Sequence, residues 1–250
     1  MKFTRDELGI PILNAEDIEQ LTERFLGRAA PFALVSPSFT PLAEIMGRIQ
    51  RSNLCSFSFD EHLGHTTEGY KYLGYFNIKR KHIAIDASLS SEDVRFPFTV
   101  AHELGHFYLH GDISPTALRA DSSDGLRDST RDLVTHRIDA SSARSLLEWQ
   151  ANRFAAGILM PRRTVRDAVI QIQRERGLKR NLGMIWLDRQ GVNRVEYKRT
   201  LGQLSSVYRV SQAVVRYRMR ELGILQVDAN TMLTRVGDTL GDALAELFPG

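Results

Sequence analysis

Two histidines four residues apart, with a glutamate directly after the first, are the part of this chain best suited to chemistry. They occur in the stretch FTVAHELGHFYLH as His102, Glu103 and His106. On an α-helix, residues four apart share one face, so the two imidazoles can converge on one metal ion. A catalytic zinc site takes three protein ligands and leaves a fourth position for water. Glu103, one residue further round the helix, is then placed to act as a general base on that water.

A third protein ligand is therefore needed, and three residues are candidates. His110 continues the histidine face, but each four-residue step rises about 6 Å along the helix axis, so we expect it to be a structural histidine or a residue at the rim of the site. Asp112 takes the place of the last ligand in the extended pattern His-Glu-x-x-His-x-x-Gly-x-x-His. That pattern needs a glycine to turn the chain, and position 109 is leucine.

Glu148 is the strongest of the three candidates. It opens the stretch EWQANRFAAGILMP, whose apolar residues recur at helical spacing and which Pro161 ends. A glutamate on an otherwise apolar helix is costly unless its charge is compensated, and a metal ion would compensate it. Asn152 lies one turn on, on the same face, where it could hydrogen-bond a ligand histidine.

Together, RFPFTVAHELGHFYLH and EWQANRFAAGILMP closely resemble the ImmA/IrrE family of bacterial and phage metallopeptidases. That family has a His-Glu-x-x-His helix, followed by a Glu-x-x-Ala-Asn helix that ends in Leu-Met-Pro. The resemblance implies that His102, His106 and Glu148 bind zinc and that Glu103 is the general base. It is best over residues 70 to 162 and looser up to Leu225.

The same resemblance implies a protein substrate, namely a helix-turn-helix repressor or an antitoxin-like regulator that is cut to relieve repression. Zinc is the expected cofactor, and manganese is the activating substitute to test beside it. One departure from the family is the separation of His106 and Glu148, which is longer than we would expect of compact members. The extra residues fall in a polar insertion at about 112–142, which we interpret as a loop near the cleft without a core element. We favour a plain surface loop over the alternative, a lid or substrate-recognition loop.

The sequence patterns of the segments that must position these residues predict an α+β fold. Helical periodicity covers residues 15–27, and a shorter helix is expected at 41–49 with Thr40 as its N-cap. Strand patterns follow at 56–59, 72–78 and 82–86. We expect a zincin-like domain, in which the active-site helix packs on this small mixed or antiparallel sheet. The last strand, HIAID, is our choice for an edge strand beside the metal that could hold an extended substrate.

The C-terminal third predicts a helix-turn-helix-like segment at 200–225, with a turn at Arg209 and Val210 and a second helix capped by Ser211. Three arginines on that second helix could form a DNA-binding face, or they could lie on an ordinary solvated surface: Arg216, Arg218 and Arg220. We divide the chain into a metallopeptidase domain at 1–162, a helical segment at 163–225 that includes the helix-turn-helix-like residues, and a C-terminal tail or helix at 226–250.

Composition places further limits on function. The 250 residues are 42% hydrophobic and 25% charged, with a net charge of only +3. The one cysteine, Cys55, allows no intramolecular disulfide and no cysteine-ligated zinc site. We find no apolar signal segment, no membrane span and no glycine-rich phosphate loop, so we expect a cytoplasmic protein without a nucleotide cofactor.

Two classes of function fit these observations. The first is a zinc endopeptidase, and the second is a regulatory protein that binds DNA or a repressor and has a non-catalytic metal site. Glu103 favours the first, because a structural zinc site needs no general base. The donor that would stabilise the oxyanion is left open among four residues: Tyr72, Arg95, Tyr108 and His136.

Overall fold

A computed structural model describes residues 4–7, 9–113, 125–129 and 143–228, with only the backbone described at 127–129. The described part has an α+β fold. Its seven α-helices are α1 (Ala15–Ala29), α2 (Leu42–Arg51), α3 (Phe96–His110), α4 (Ala143–Leu159), α5 (Arg162–Glu175), α6 (Gly191–Tyr208) and α7 (Gln212–Glu221). Its strands are β1 (Ser56–Glu61), β2 (Tyr72–Asn77), β3 (His82–Asp86), β4 (Gly125–Ser129), β5 (Ile185–Leu187) and β6 (Leu225–Val227).

The main sheet contains four strands in the order β1-β3-β2-β4. Strand β3 pairs with β1 in parallel and with β2 antiparallel, while β2 pairs antiparallel with β4. The three strands predicted at 56–59, 72–78 and 82–86 are therefore present. The prediction that HIAID is an edge strand is wrong, because both sides of β3 are already hydrogen-bonded to neighbours.

Strand β4 comes from the insertion at 112–142, which we expected to contribute no core element. Leu126 is buried in the sheet core and lies opposite Phe76 of β2. At Gly125 an added Cβ would overlap the carbonyl oxygen of Phe76, so glycine permits the close pairing. The interpretation of the whole insertion as a surface loop is therefore wrong at these five residues, and its remainder from 114 to 124 and from 130 to 142 lies outside the described residues.

Helix α2 forms close to its predicted position, but Thr40 does not cap it. Pro41 is the N-cap residue, and no side chain makes the capping hydrogen bond. The hydroxyl of Thr40 instead donates to the carbonyl oxygen of Ile158 near the end of α4, at 2.6 Å. This threonine therefore connects the N-terminal region to the helix that carries Glu148.

The turn of the helix-turn-helix-like segment forms where the sequence predicts it. Arg209 has a left-handed backbone with φ of 53°, and the Ser211 side chain accepts a hydrogen bond from the backbone N–H of Val214. Its first helix starts at Gly191, earlier than the predicted residue 200. One continuous apolar core includes residues from both sides of position 162. The proposed division into domains at that position stays a prediction.

The second helix of that segment, α7, is embedded in the fold. Arg218 is fully buried, so the interpretation of this arginine as part of a DNA-binding face is wrong. Its guanidinium donates to Glu19 of α1 at 2.8 Å and to Glu221 at 2.6 Å. Burial opposes the charge of Arg218, but the carboxylates of Glu221 and Glu19 outweigh that effect and raise its pKa.

Replacing Arg218 with methionine should lower the free energy of unfolding by about 3–5 kcal/mol, because the buried Glu19 carboxylate would lose its cation and Glu221 would keep only Arg153. Urea denaturation of the metal-free protein measures this loss. Arg180→Met is the matched control, since Arg180 is exposed and a surface substitution changes stability by about 0.5 kcal/mol at most. Equal stabilities of the two variants would contradict a structural role for Arg218.

No helix in the described part of the chain is both long enough and apolar enough to cross a membrane. The apolar residues ALAELF near the C-terminus, which belong to the predicted tail at 226–250, lie outside the described residues.

Candidate metal centre

The two helices that carry the candidate ligands cross in close contact. Gly105, inside the HELGH sequence of α3, lies against the backbone of Ala151 in α4. A Cβ at position 105 would be 3.0 Å from the carbonyl oxygen of Ala151 and 3.1 Å from its Cα atom. Glu148 and Asn152 lie on either side of Ala151 in the sequence. The glycine therefore allows α4 to bring both polar side chains to the histidine face of α3.

The crossing brings His102, His106 and Glu148 together. The Nε2 atoms of the two histidines are 2.9 Å apart. Oε2 of Glu148 lies 3.3 Å from Nε2 of His102 and 3.6 Å from Nε2 of His106. All three residues are buried, and each offers a ligand atom within 4.8 Å of the others. The fold therefore places Glu148 beside the two histidines, although it is far from them in the sequence.

The chemistry of these donors fits a divalent metal ion. Nδ1 of His102 lies 2.8 Å from Oδ1 of Asn152, which is the contact expected from the sequence. Since an amide oxygen can only accept, Nδ1 of His102 carries the hydrogen and its Nε2 carries a lone pair. This lone pair faces a carboxylate and a second imidazole nitrogen. Two nitrogen donors and one oxygen donor form a ligand set that zinc favours in catalytic sites.

Glu103 is also buried, but it faces a different neighbour. Its carboxylate lies against Gly74 of β2, where an added Cβ would overlap the carboxylate oxygen Oε1. Strand β2 therefore limits the position of this side chain, while the candidate ligands His102 and His106 lie on an adjacent face of the same helix. The arrangement suits a base that acts beside a metal rather than a fourth ligand.

The other two ligand candidates lie elsewhere. His110 contacts His106 through Nδ1 and Gln150 through Nε2, both at 2.9 Å, and is fully buried. It therefore has the structural surroundings expected of it. The side chain of Asp112 is 80% exposed and lies 3.5 Å from the ammonium group of Lys81. In the described part of the chain, neither residue joins the group that could hold a metal.

Among the candidate oxyanion donors, two are committed to other contacts. The ring of Tyr108 packs on Phe25 and Phe154, and burial raises the pKa of its hydroxyl. Arg95 forms an ion pair with Asp93. Tyr72 lies on β2, the strand that contacts Glu103, and stays a candidate. His136 lies outside the described residues.

Three residues near the centre were not identified from the sequence. Gln150 contacts His110, Gly74 contacts Glu103, and Nε of Arg144 lies 4.0 Å from Oε1 of Glu148. Arg144 could have been found, because it precedes Glu148 by one helical turn. Gly74 and Gln150 act through contacts between distant segments, for which the sequence contains no spacing signal.

The sequence matches the model of a known protein family. The sequence model described as IrrE N-terminal-like domain, Peptidase_M78, matches residues 62–220, which is well over half of the chain. The matched region contains α3, α4 and all three candidate ligands. No curated protein matches the chain significantly.

Proposed function

Because the chain belongs to the ImmA/IrrE family of metallopeptidases, we propose that it is a zinc-dependent endopeptidase. One observation carries this proposal: the Nε2 atoms of His102 and His106 and the carboxylate of Glu148 converge at one buried point, and the helix of the two histidines also carries Glu103. Three ligands with a neighbouring base are the requirement for metal-assisted hydrolysis of a peptide bond.

In the proposed mechanism, His102, His106 and Glu148 hold the metal and Glu103 transfers the proton. A zinc ion bound there would lower the pKa of a water molecule and polarise the scissile carbonyl group. Glu103 accepts a proton from the attacking water on one carboxylate oxygen. It then donates that proton to the nitrogen of the departing peptide, which breaks the C–N bond. The absence of a side chain at Gly74 leaves the Glu103 carboxylate its space against β2.

We propose a helix-turn-helix repressor or antitoxin-like regulator as the substrate, on the basis of the family resemblance. Cleavage at one site would separate the DNA-binding part of such a regulator from the rest and relieve repression. Since the regulator acts on DNA, we expect the reaction to occur in the cytoplasm. The alternative function, binding of DNA or a repressor without catalysis, loses Arg218 as a contact residue because that side chain is buried.

Incubation of the purified chain with a repressor-like protein encoded beside its gene tests this function. With Zn²⁺ or Mn²⁺ present, we expect cleavage at one peptide bond, identified by mass spectrometry of the fragments. Addition of a chelator should stop the reaction, because the metal supplies the Lewis acid. An intact repressor in a stable complex with the metal-loaded protein would contradict the proposal and favour the binding alternative.

A further inference from the structure

A line of hydrogen bonds runs from His106 to the N-terminal segment of the chain. Nδ1 of His106 lies 2.9 Å from Nδ1 of His110, and Nε2 of His110 lies 2.9 Å from Oε1 of Gln150. The amide nitrogen of Gln150 in turn donates to the carbonyl oxygen of Pro11 at 2.7 Å. The three side chains are fully buried, so water does not compete for these bonds.

The last acceptor determines the direction of every bond in this line. A carbonyl oxygen only accepts, so Gln150 presents its NH₂ group to Pro11 and its oxygen to His110. Nε2 of His110 must then carry a hydrogen, and in the neutral ring Nδ1 is left as an acceptor. His106 consequently carries its hydrogen on Nδ1. Its lone pair is on Nε2, the atom that faces His102 and Glu148.

The two candidate ligand histidines are thus oriented in different ways. His102 is oriented directly by the amide oxygen of Asn152. His106 has another imidazole as its partner, and an imidazole can present either a donor or an acceptor at Nδ1. His110 alone would therefore leave the tautomer of His106 undefined. Gln150 removes this ambiguity by requiring a donor from His110.

The end of the line is held in a short N-terminal hairpin-like turn. Backbone hydrogen bonds join Ile12 N–H to the carbonyl oxygen of Thr4 and Asp6 N–H to that of Ile10, at 2.9 Å each. Ile10 is buried in the core and anchors the turn. The carbonyl group of Pro11 is therefore a fixed acceptor. It lies outside the region that matches the family, which begins at residue 62.

We propose that His110 and Gln150 are positioning residues that fix the tautomer of His106 and thereby set the metal affinity of the site. This inference rests on the proposed function, because it requires His106 to be a metal ligand. A hydrogen-bond partner behind a ligand histidine raises its basicity and orients its ring, and loss of such a partner weakens metal binding by about 10- to 100-fold. The N-terminal turn thus supports the metal centre through Gln150.

Two substitutions in the full chain test the proposal, with Co²⁺ as the probe in competition against a chelator. His110→Phe keeps an aromatic ring but removes both nitrogens, and Gln150→Met keeps the volume but removes the amide. Each should weaken Co²⁺ binding by about 10- to 100-fold. Leu109→Ala is the control, because Leu109 is buried on the same helix and loses only packing. Thermal unfolding of the metal-free proteins reports any structural damage separately.

The double variant distinguishes one line of bonds from two separate effects. If both residues act through His106, the double variant should bind Co²⁺ no more weakly than His110→Phe alone. The proposal is overturned if the losses multiply, or if either single variant keeps the wild-type affinity. It is overturned as well if Leu109→Ala weakens binding equally, because then only packing matters. If His110→Phe does not fold, the Co²⁺ affinity of Gln150→Met alone tests the proposal.

Failure of this inference can be told apart from failure of the proposed function. Wild-type protein should bind one Co²⁺ ion per chain, and His102→Ala should abolish that binding. If the wild type binds Co²⁺ and both His110→Phe and Gln150→Met bind it with the same affinity, only the positioning role is wrong. If wild type binds no metal, the metallopeptidase function and this inference fall together.

Discussion

A Glu103→Gln variant should retain its metal and cleave the substrate about 10²- to 10⁴-fold more slowly than the wild type, which is the usual contribution of a general acid-base group. Glutamine has the shape of glutamate but cannot accept the proton of the attacking water. Because the two side chains have the same size, glutamine can occupy the buried position against Gly74. Single-turnover cleavage assays measure the rate, and elemental analysis by mass spectrometry measures the zinc content.

Glu44→Gln is the matched control for this experiment. Glu44 is exposed on α2, so the same chemical change there should leave both the rate and the zinc content at wild-type values. A Glu103→Gln protein that cleaves at an undiminished rate would show that another group transfers the proton. A variant that loses its zinc would instead place Glu103 among the ligands.

Replacing Glu148 with alanine should have the second large effect, a loss of metal. Removal of the Glu148 carboxylate leaves two imidazoles of the candidate ligand set. The metal affinity should fall by more than about 100-fold, which is the largest loss expected when a hydrogen-bond partner behind a ligand is removed. Zinc content after dialysis against a weak chelator measures this change. Cleavage should disappear with the metal and return only at high zinc concentration.

Arg144→Ala controls for a purely electrostatic role of Glu148. Arg144 lies 4.0 Å from the Glu148 carboxylate and its side chain is 44% exposed, so an ion pair between them is weak. We expect the Arg144 variant to keep wild-type zinc content. Full zinc occupancy in Glu148→Ala would mean that a different residue supplies the third ligand.

The candidate centre could largely be predicted from local sequence signals. The four-residue spacing of His102 and His106 on an apolar helix determines their common face. For Glu148, a charged residue on an otherwise apolar helix marks a position that needs a cation. The helix-turn-helix-like turn was equally local, because the Ser211 cap depends only on residues within one helical turn.

Three other features, which depend on distant contacts, were not predicted correctly. Thr40 has the residue type of an N-cap, but its hydroxyl instead donates a hydrogen bond to the carbonyl oxygen of Ile158, which belongs to a helix far away in the sequence. The order of strands in a sheet is also a long-range property, and nothing in HIAID indicates that β1 covers its outer side. Strand β4 contributes a single large apolar residue, Leu126, which is too little for a strand pattern.

The burial of Arg218 could have been inferred from helical spacing. It follows Val214 by four residues and Val215 by three, so it shares the face of two apolar residues that are buried in the core. Arg218 shares its charge with Arg216 and Arg220, and charge was the basis of the DNA-binding prediction. Charge alone does not show which side of a helix meets solvent, whereas the phase of the apolar residues does.

Anomalous X-ray diffraction from crystals of the zinc-loaded protein, recorded at the zinc absorption edge, tests the central claim most directly. The claim is that two histidines from α3 and one glutamate from α4 hold one metal ion. We predict a single peak about 2.0–2.2 Å from Nε2 of His102, Nε2 of His106 and a carboxylate oxygen of Glu148. A peak at another place, or a Glu148 side chain turned away from the two histidines, would contradict the account.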